Sequence, residues 1–96
     1  TALFAFSNQN ALGALRAAGE LGRKIPDDLS LIAFDDHPFA AYLAAPLTSV
    51  NQDVSQLGRV AARLLMGQIK TGALPEERQH RIPVQLMIRA SIMKIG

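Results

Sequence analysis

The sequence predicts an α/β fold in which helices flank an open parallel sheet. Strand-like and helix-like segments alternate along the 96 residues, a pattern typical of sheets built from right-handed crossovers. Residues 29–34 read LSLIAF, and a strand this apolar suits a parallel sheet covered on both faces. With 49% hydrophobic residues, the chain can bury one small core, but it is too short for two well-packed domains.

The first strand and the first helix follow each other directly. Residues 2–6 form a short apolar run, after which Ser7, Asn8 or Asn10 can each cap a helix start. Apolar residues then recur at three-residue steps, and Gly22 is suited to end the helix. These recurring residues are Leu12, Leu15, Ala18 and Leu21.

A second strand, a short helix and a third strand come next. The strand at residues 29–34 stops abruptly at a polar stretch. Residues 39–45 predict a short helix that Pro46 closes, and residues 47–50 predict the third strand.

A longer second helix gives the strongest periodic signal in the chain. Asp53 followed by Gln56 fits a capping-box arrangement at its start, and Gly72 is suited to stop it. The apolar residues between them fall on one stripe. They are Val54, Leu57, Val60, Ala61, Leu64, Leu65 and Ile69.

The last strand candidate alternates in polarity. Residues 72–80 are polar and turn-rich, which predicts a surface loop before it. Pro83 has no N–H to donate, so we expect an edge strand or an irregular one. Ile82, Val84, Leu86 and Ile88 are predicted on one face, and Arg81, Gln85 and Arg89 on the other.

Polar side chains follow each of the three parallel strands, where ligands bind in open α/β sheets. They are Ser7 and Asn8, then Asp35 and Asp36, then Asn51, Gln52 and Asp53. Such groups suit a hydroxyl-rich or amide-rich ligand. The alternative is structural, because these residue types also cap helices and form turns. Asp53 fits a cap best, and Asp36 is expected to be solvated or to cap the short helix.

Other classes of function lack support in the sequence. The ten basic residues are spread along the chain, so this segment is not expected to bind nucleic acid itself. His37 and His80 show no metal-ligand spacing, and His37 is expected to be a loop residue. No Gly-rich phosphate loop, Cys nucleophile or G-x-S-x-G motif is present. We therefore expect no enzyme activity, cofactor or metal.

Membrane and secretion signals are also missing from these residues. No apolar run approaches the ~20 residues that a bilayer requires. The apolar start has neither a basic region nor a cleavage site of the secretory kind. The absence of Cys fits a cytoplasmic protein.

Five blocks of sequence, in order, resemble the LacI/GalR family of transcriptional regulators. The blocks are ALGALRA, IPDDLSLIAFDD, PLTSVNQ, LGRVAARLL and PVQLMIRASI, and together they span most of the chain. The resemblance implies the C-terminal part of a periplasmic-binding-protein-like (type I) effector domain. It also implies a homodimer, repression of transcription, and a ligand that is a sugar or resembles a nucleobase. Operator DNA would be bound through a helix-turn-helix head and not through this segment.

The resemblance assigns roles to residues at the strand ends. Asp35 corresponds to the family's cleft carboxylate, and Gln52 matches a cleft position near the crossover between lobes. The family usually has Asn-Asp after the first strand, where this chain has Ser7 and Asn8. Two alternatives follow: Ser7 makes the first contact, or Asn8 replaces it after a local shift.

The family layout also implies a division between lobes. Residues 1–52 and about 81–92 would belong to the C-terminal lobe and residues 53–80 to the N-terminal lobe, with the DNA-binding head absent. Most of the N-terminal lobe would be missing, so the apolar stripe of the second helix would lack its partner. We therefore predict that this chain self-associates when it is studied alone.

A dimer contact is implied on two segments of the C-terminal lobe. The first is the start of the first helix, at Ala11 and Leu12, and the second lies around Phe39, Tyr42 and Leu43. The alternative for Phe39 and Tyr42 is packing under their own short helix.

Two other functions compete with ligand-controlled transcription. One is a periplasmic sugar-binding protein of a transporter, which shares the fold, although PLTSVNQ followed by LGRVAARLL is closer to the regulators. The other is a stand-alone interaction module. A helix-turn-helix or a secretory signal encoded upstream would separate them. The residues do not choose among pentoses, hexoses, disaccharides and purines as the effector.

Overall fold

A computed structural model describes residues 1–95 and has the predicted alternation of strands and helices. In chain order its elements are β1 (Ala2–Ala5), α1 (Asn8–Glu20), β2 (Ser30–Phe34), a 3₁₀ helix (Pro38–Tyr42), β3 (Thr48–Gln52), α2 (Val54–Thr71) and β4 (Val84–Met87). The element types follow the sequence analysis, but the short helix ends at Tyr42 and does not reach Pro46, and β3 begins and ends later than expected. The short helix is 3₁₀, with Pro38 at its first position, where a missing N–H costs nothing.

The described residues form two compact units. The first contains Thr1–Asn51 together with the segment that begins at Gln85, and the second contains Gln52–Val84. The second unit therefore consists mainly of α2 and the loop that follows it.

An open sheet with the strand order β1-β2-β3-β4 is the centre of the fold. β1 pairs in parallel with β2, from Ala2 opposite Ser30 to Ala5 opposite Ala33. β2 pairs in parallel with β3, where Phe34 lies opposite Val50. β4 lies at the edge beside β3, which confirms the edge position predicted from Pro83.

The core of the first unit is built from small side chains. It contains Ala5, Ala11, Leu31, Ala33, Ala40 and Leu47. Because α1 faces the sheet with alanines, its backbone can approach β1 and β2 closely.

The buried face of α1 differs from the predicted one. Ala11 and Ala18 are buried and Leu15 is half-buried, whereas Leu12 and Leu21 are 41% and 76% exposed. Each residue turns a helix by about 100°, so successive three-residue steps drift around the axis and leave the common face. The expected stripe is therefore wrong at its two ends.

Both helices end as the sequence predicts. Asp53 caps α2 by accepting a hydrogen bond from the Gln56 N–H at 2.9 Å. Gly22 and Gly72 adopt φ values of 67° and 68° after their helices, a left-handed conformation that glycine adopts without steric cost.

The apolar stripe of α2 lies exposed in this chain. None of the residues of α2 is buried, and Val54 and Ile69 are 70% and 65% exposed. The apolar face predicted for the last strand is exposed as well, since Val84, Leu86 and Ile88 are all more than half exposed.

Candidate functional site

The parallel pairing of the strands brings the polar residues at their carboxyl ends, within the first unit, to the same end of the sheet. β1 ends at Ala5 opposite Ala33, and β2 ends at Phe34 opposite Val50. The residues after β1, β2 and Val50 therefore continue past the same edge. They are Ser7 and Asn8, then Asp35 and Asp36, then Asn51. Gln52 is the last residue of β3 and the first of the second unit.

Asp35 has an unusual backbone conformation at the end of β2. Its φ is +74°, a left-handed value that non-glycine residues adopt rarely and that Asp tolerates better than most. Its N–H donates to the Val50 carbonyl at 2.9 Å, so the turn is tied to β3. The side chain is half-buried at this edge. β2 thus ends in a fixed turn that carries a carboxylate.

Ser7 and Asn8 differ in what their side chains already bind. The Ser7 Oγ caps α1 by accepting from the Asn10 N–H at 3.3 Å. The Asn8 Oδ1 is buried and has no hydrogen-bond partner among the described residues. A buried acceptor without a donor costs free energy, about 1–3 kcal/mol. Asn8 therefore offers an unused acceptor where Ser7 has a structural role.

Asp36 is held by an arginine from the far end of the chain. The two guanidinium nitrogens Nη1 and Nη2 of Arg89 donate to its two carboxylate oxygens at 2.6 and 3.0 Å. The Ser49 hydroxyl donates to Asp36 Oδ1 at 2.6 Å. The side chains of Arg89 and Asp36 are only 19% and 15% exposed. We call Asp36, Arg89 and Ser49 the Asp36 clamp.

The expectation for Asp36 is therefore wrong. Asp36 is neither solvated nor a helix cap, because the clamp occupies its carboxylate. The 3₁₀ helix is capped instead by His37, whose Nδ1 accepts from the Phe39 N–H at 3.4 Å. His37 thus precedes the helix in the connecting loop, as predicted. The Arg89 side chain points to the clamp.

Arg89 is itself anchored to β3 and the residue before it. Its Nη1 donates to the Leu47 carbonyl at 2.7 Å, and its main-chain N–H donates to Thr48 Oγ1 at 2.8 Å. The buried Ser91 hydroxyl donates to the Leu31 carbonyl at 2.5 Å and accepts from the Thr48 N–H at 2.8 Å. Hydrogen bonds from Arg89 and Ser91 therefore attach the C-terminal segment to β2 and β3.

The clamp changes the acid–base properties of its two charged groups. The hydrogen bond from Arg89 is the largest cause that lowers the pKa of the Asp36 carboxyl below its ordinary value. Burial opposes this shift, while the Ser49 hydroxyl and the arginine charge add to it. The hydrogen bond to Asp36 correspondingly raises the pKa of Arg89. Both groups are charged at neutral pH, as a two-point ion pair requires.

Sequence reasoning missed Arg89, Ser49 and Ser91. A carboxylate beside a buried strand does call for a basic partner, but ten Lys and Arg residues were available. Arg89 lies 53 positions from Asp36, so no local spacing connects them. The alternation of the last strand separated Arg89 from the apolar residues but did not indicate its partner.

The residues predicted at a dimer contact have different environments. Ala11 is fully buried in the core, so its side chain is not available to a partner. Leu12 and Tyr42 are exposed, Tyr42 by 88%, so the alternative of packing under the short helix is wrong for Tyr42. Phe39 is half-buried, with its ring centroid 4.3 Å from that of His37. Leu43 is half-buried against the core.

The described part of the chain contains neither a metal-binding group of side chains nor a membrane-spanning helix. Within residues 1–95, no three His, Asp or Glu side chains lie together as a group that could hold a metal ion. No helix in that range is long and apolar enough to cross a membrane.

Comparison with known families decides what this fold belongs to. Residues 1–92 match the family described as the periplasmic binding protein-like domain. The chain belongs to that family. Within it, the chain is 41% identical over 87 residues to the ribose operon repressor of Halalkalibacterium halodurans, which places it with the LacI/GalR regulators. This match covers 91% of the chain but only 26% of the repressor.

Solved LacI-family structures have the same fold over nearly the whole chain. A LacI family transcriptional regulator from Enterococcus faecalis V583, with bound ribose, superposes with a TM-score of 0.91 at 36% identity. It is covered over 36% of its length, against 100% of this chain. A lac repressor dimer bound to operator and an anti-inducer gives 0.86 at 31% identity, covering 98% of this chain and 32% of the repressor. The periplasmic-binding-protein-like fold class is thereby confirmed, and the chain spans about a third of these LacI-family structures.

Proposed function

We propose that this chain is the effector-sensing part of a LacI-type transcriptional repressor whose ligand is a sugar. The observation that carries the proposal is the edge where β1, β2 and β3 end in polar side chains. Its support comes from relatives named as repressors and from a similar structure that contains ribose. Operator DNA is bound by a helix-turn-helix segment outside these residues. Nothing in the comparisons favours the transporter alternative.

Asp35 and Asn8 are the proposed ligand contacts of the first unit. The Asp35 carboxylate lies in the turn at the end of β2, where it accepts hydrogen bonds from ligand hydroxyl groups. Asn8 is preferred over Ser7, because the buried Asn8 Oδ1 lacks a donor whereas Ser7 already caps α1. Gln52, the last residue of β3, is the third contact. Its amide can both donate and accept.

The lobes proposed from the family layout follow a similar division of the chain. Residues 1–52 and about 81–92 form the C-terminal lobe, and residues 53–80 contribute to the N-terminal lobe. Support comes from the boundaries of the two compact units, which fall at 51/52 and 84/85. In the complete protein, ligand binding changes the affinity of the DNA-binding head for operator DNA.

The assembly and location follow from the same proposal. The protein is a cytoplasmic homodimer without catalytic activity. Leu12, Phe39, Tyr42 and Leu43 form the proposed contact between protomers, and the exposure of Leu12 and Tyr42 supports it. Large apolar side chains in contact with water favour such burial, at about 25 cal/mol per Å².

An Asp35→Ala variant tests the proposed function. In the full-length protein we expect operator binding to persist and release by effector to be lost, since only the ligand contact is removed. Release is measured by fluorescence anisotropy of labelled operator DNA. The effector is first chosen by thermal shift from ribose, glucose, maltose, cellobiose, adenine and hypoxanthine.

Asp27→Ala is the matched control, because Asp27 is an exposed acid away from the strand ends. It is expected to respond like the unmodified protein. A normal effector response in Asp35→Ala would contradict the ligand-binding role of Asp35.

A further inference from the structure

The end of β2 is held in a conformation that it would not adopt by itself. The φ of Asp35 is +74°, a left-handed value that is unfavourable for most residues with a Cβ atom. Such a conformation persists only where surrounding contacts enforce it. Those contacts come from the Asp35 N–H, which binds Val50, and from the Asp36 clamp.

The clamp holds the residue next to the proposed ligand contact. Asp36 is the next residue after Asp35, and both of its carboxylate oxygens are fixed by Arg89. A two-point contact restricts rotation as well as distance, because the planar guanidinium fixes the plane of the carboxylate. Residue Asp35 is therefore held from both sides, by β3 on one side and by Arg89 on the other.

Arg89 has a rigid support of its own. Its guanidinium binds the Leu47 carbonyl, and its main chain binds Thr48. Thr48 and Ser49 are fully buried, so the part of β3 that binds Arg89 is shielded from solvent. The buried part of β3 thus holds Arg89 in place, and Arg89 in turn holds the turn at Asp35.

We propose that Arg89 is a positioning residue for effector binding, which acts on Asp35 through the Asp36 clamp. This inference rests on the proposed function, since it assumes that Asp35 contacts the ligand. Arg89 does not touch the ligand in this account. Its role is to hold the Asp35 carboxylate in the orientation that a ligand hydroxyl group requires.

Two substitutions of Arg89 in the full-length protein test the role. Arg89→Met removes the charge, both hydrogen bonds to Asp36 and those to Leu47 and Ser49, and we expect effector affinity to fall roughly 10- to 100-fold, as with other supporting groups of binding sites. Arg89→Lys keeps the charge but cannot reproduce the two-point contact. It is therefore expected to recover most of the melting temperature but only part of the affinity. Affinity is measured by calorimetry with the sugar or base that gives the largest thermal shift in the panel above.

A control variant separates positioning from general stability. Ala18→Gly removes a buried methyl group from α1 and lowers the melting temperature without touching the clamp. Its effector affinity, measured well below its own melting temperature, should equal that of the unmodified protein. The split between affinity and stability in Arg89→Lys is what a merely structural role would not produce.

The outcomes distinguish this inference from the function on which it rests. Failure of every probe to bind, or unchanged binding in Asp35→Ala, would overturn the proposed function. If Asp35→Ala abolishes binding while Arg89→Met binds with unchanged affinity, only the positioning role is overturned. Affinity losses that track the melting temperature in all three variants, Ala18→Gly included, would also overturn it.

Discussion

Asp36 lies one residue beyond the proposed ligand carboxylate and accepts hydrogen bonds from Arg89 and Ser49. Its neighbour Asp35 is turned by its left-handed backbone, while Asp36 is occupied by the clamp. The two adjacent acidic residues therefore have different surroundings: the Asp36 carboxylate is bound by Arg89 and Ser49, whereas Asp35 is the proposed ligand contact. Because both residues are aspartates, the sequence does not show this difference, which comes from their surroundings in the fold.

The clamp predicts a specific pH dependence of stability. The pKa of Asp36 is lowered in the folded state, so its contribution is complete above the unfolded Asp pKa of about 3.9. That contribution is lost as the pH falls through the lower folded value. Asp36→Asn should reduce the free energy of unfolding by about 2–4 kcal/mol at pH 7, because it leaves a largely buried Arg89 without its counter-ion.

Urea unfolding of the full-length protein and of Asp36→Asn at several pH values measures this effect. The difference in free energy of unfolding should be constant from neutral pH down to about pH 5 and shrink below it, as Asp36 in the unmodified protein is protonated. Asp27→Asn, at an exposed acid, should show little difference at any pH. A difference for Asp36→Asn that does not change with pH would contradict the assigned role of its charge.

Single residues were predictable where the contact is local in sequence. The Asp53 cap and the glycine ends involve partners three or four positions away, a distance at which residue type and spacing carry the information. The Asp36 clamp joins residues 53 apart, and nothing in the spacing specifies it. The proposed preference for Asn8 over Ser7 likewise rests on burial and hydrogen bonding, which the residue types do not show.

At the scale of elements, α2 shows the largest mismatch between its composition and its surroundings. Its apolar stripe is continuous, yet none of its residues is buried in this chain. Burying one Val, Leu or Ile side chain contributes about 1.5–3 kcal/mol. Several such side chains in contact with water strongly favour association.

We therefore predict that the 96-residue chain, when it is studied alone, forms dimers or larger species through this face. Sedimentation velocity over a range of concentrations measures it. Replacement of Leu65 and Ile69 by Gln should shift the distribution towards monomer, since both residues are exposed apolar members of the stripe. A compact, well-folded monomer of the unmodified chain at high concentration would contradict the prediction.

Element types were largely predictable because periodicity and end signals agree. The apolar run of β2 and the stripe of α2 each have the period of their element. The face of α1 was harder to predict, since alanine and leucine alternate along it and the sheet selects the smaller residue. Close approach to a sheet is a tertiary requirement that the helix sequence does not display by itself.

At the scale of the whole molecule, the chain carries polar side chains at the carboxyl ends of its parallel strands, where we propose that the ligand binds. Residues 1–92 match the periplasmic binding protein-like domain, and the fold matches that of solved regulator structures. The chain covers about a third of those structures. We therefore expect the proposed response to ligand to require the complete protein.

A crystal structure of the full-length protein with its bound effector tests the proposed ligand contacts directly. We expect a ligand hydroxyl or N–H group to donate to the Asp35 carboxylate, and another to Asn8 Oδ1, each at about 2.5–3.2 Å. The Asp36 clamp should be intact beside them. An effector bound away from the ends of β1, β2 and β3, with no contact to Asp35, would contradict the proposed site.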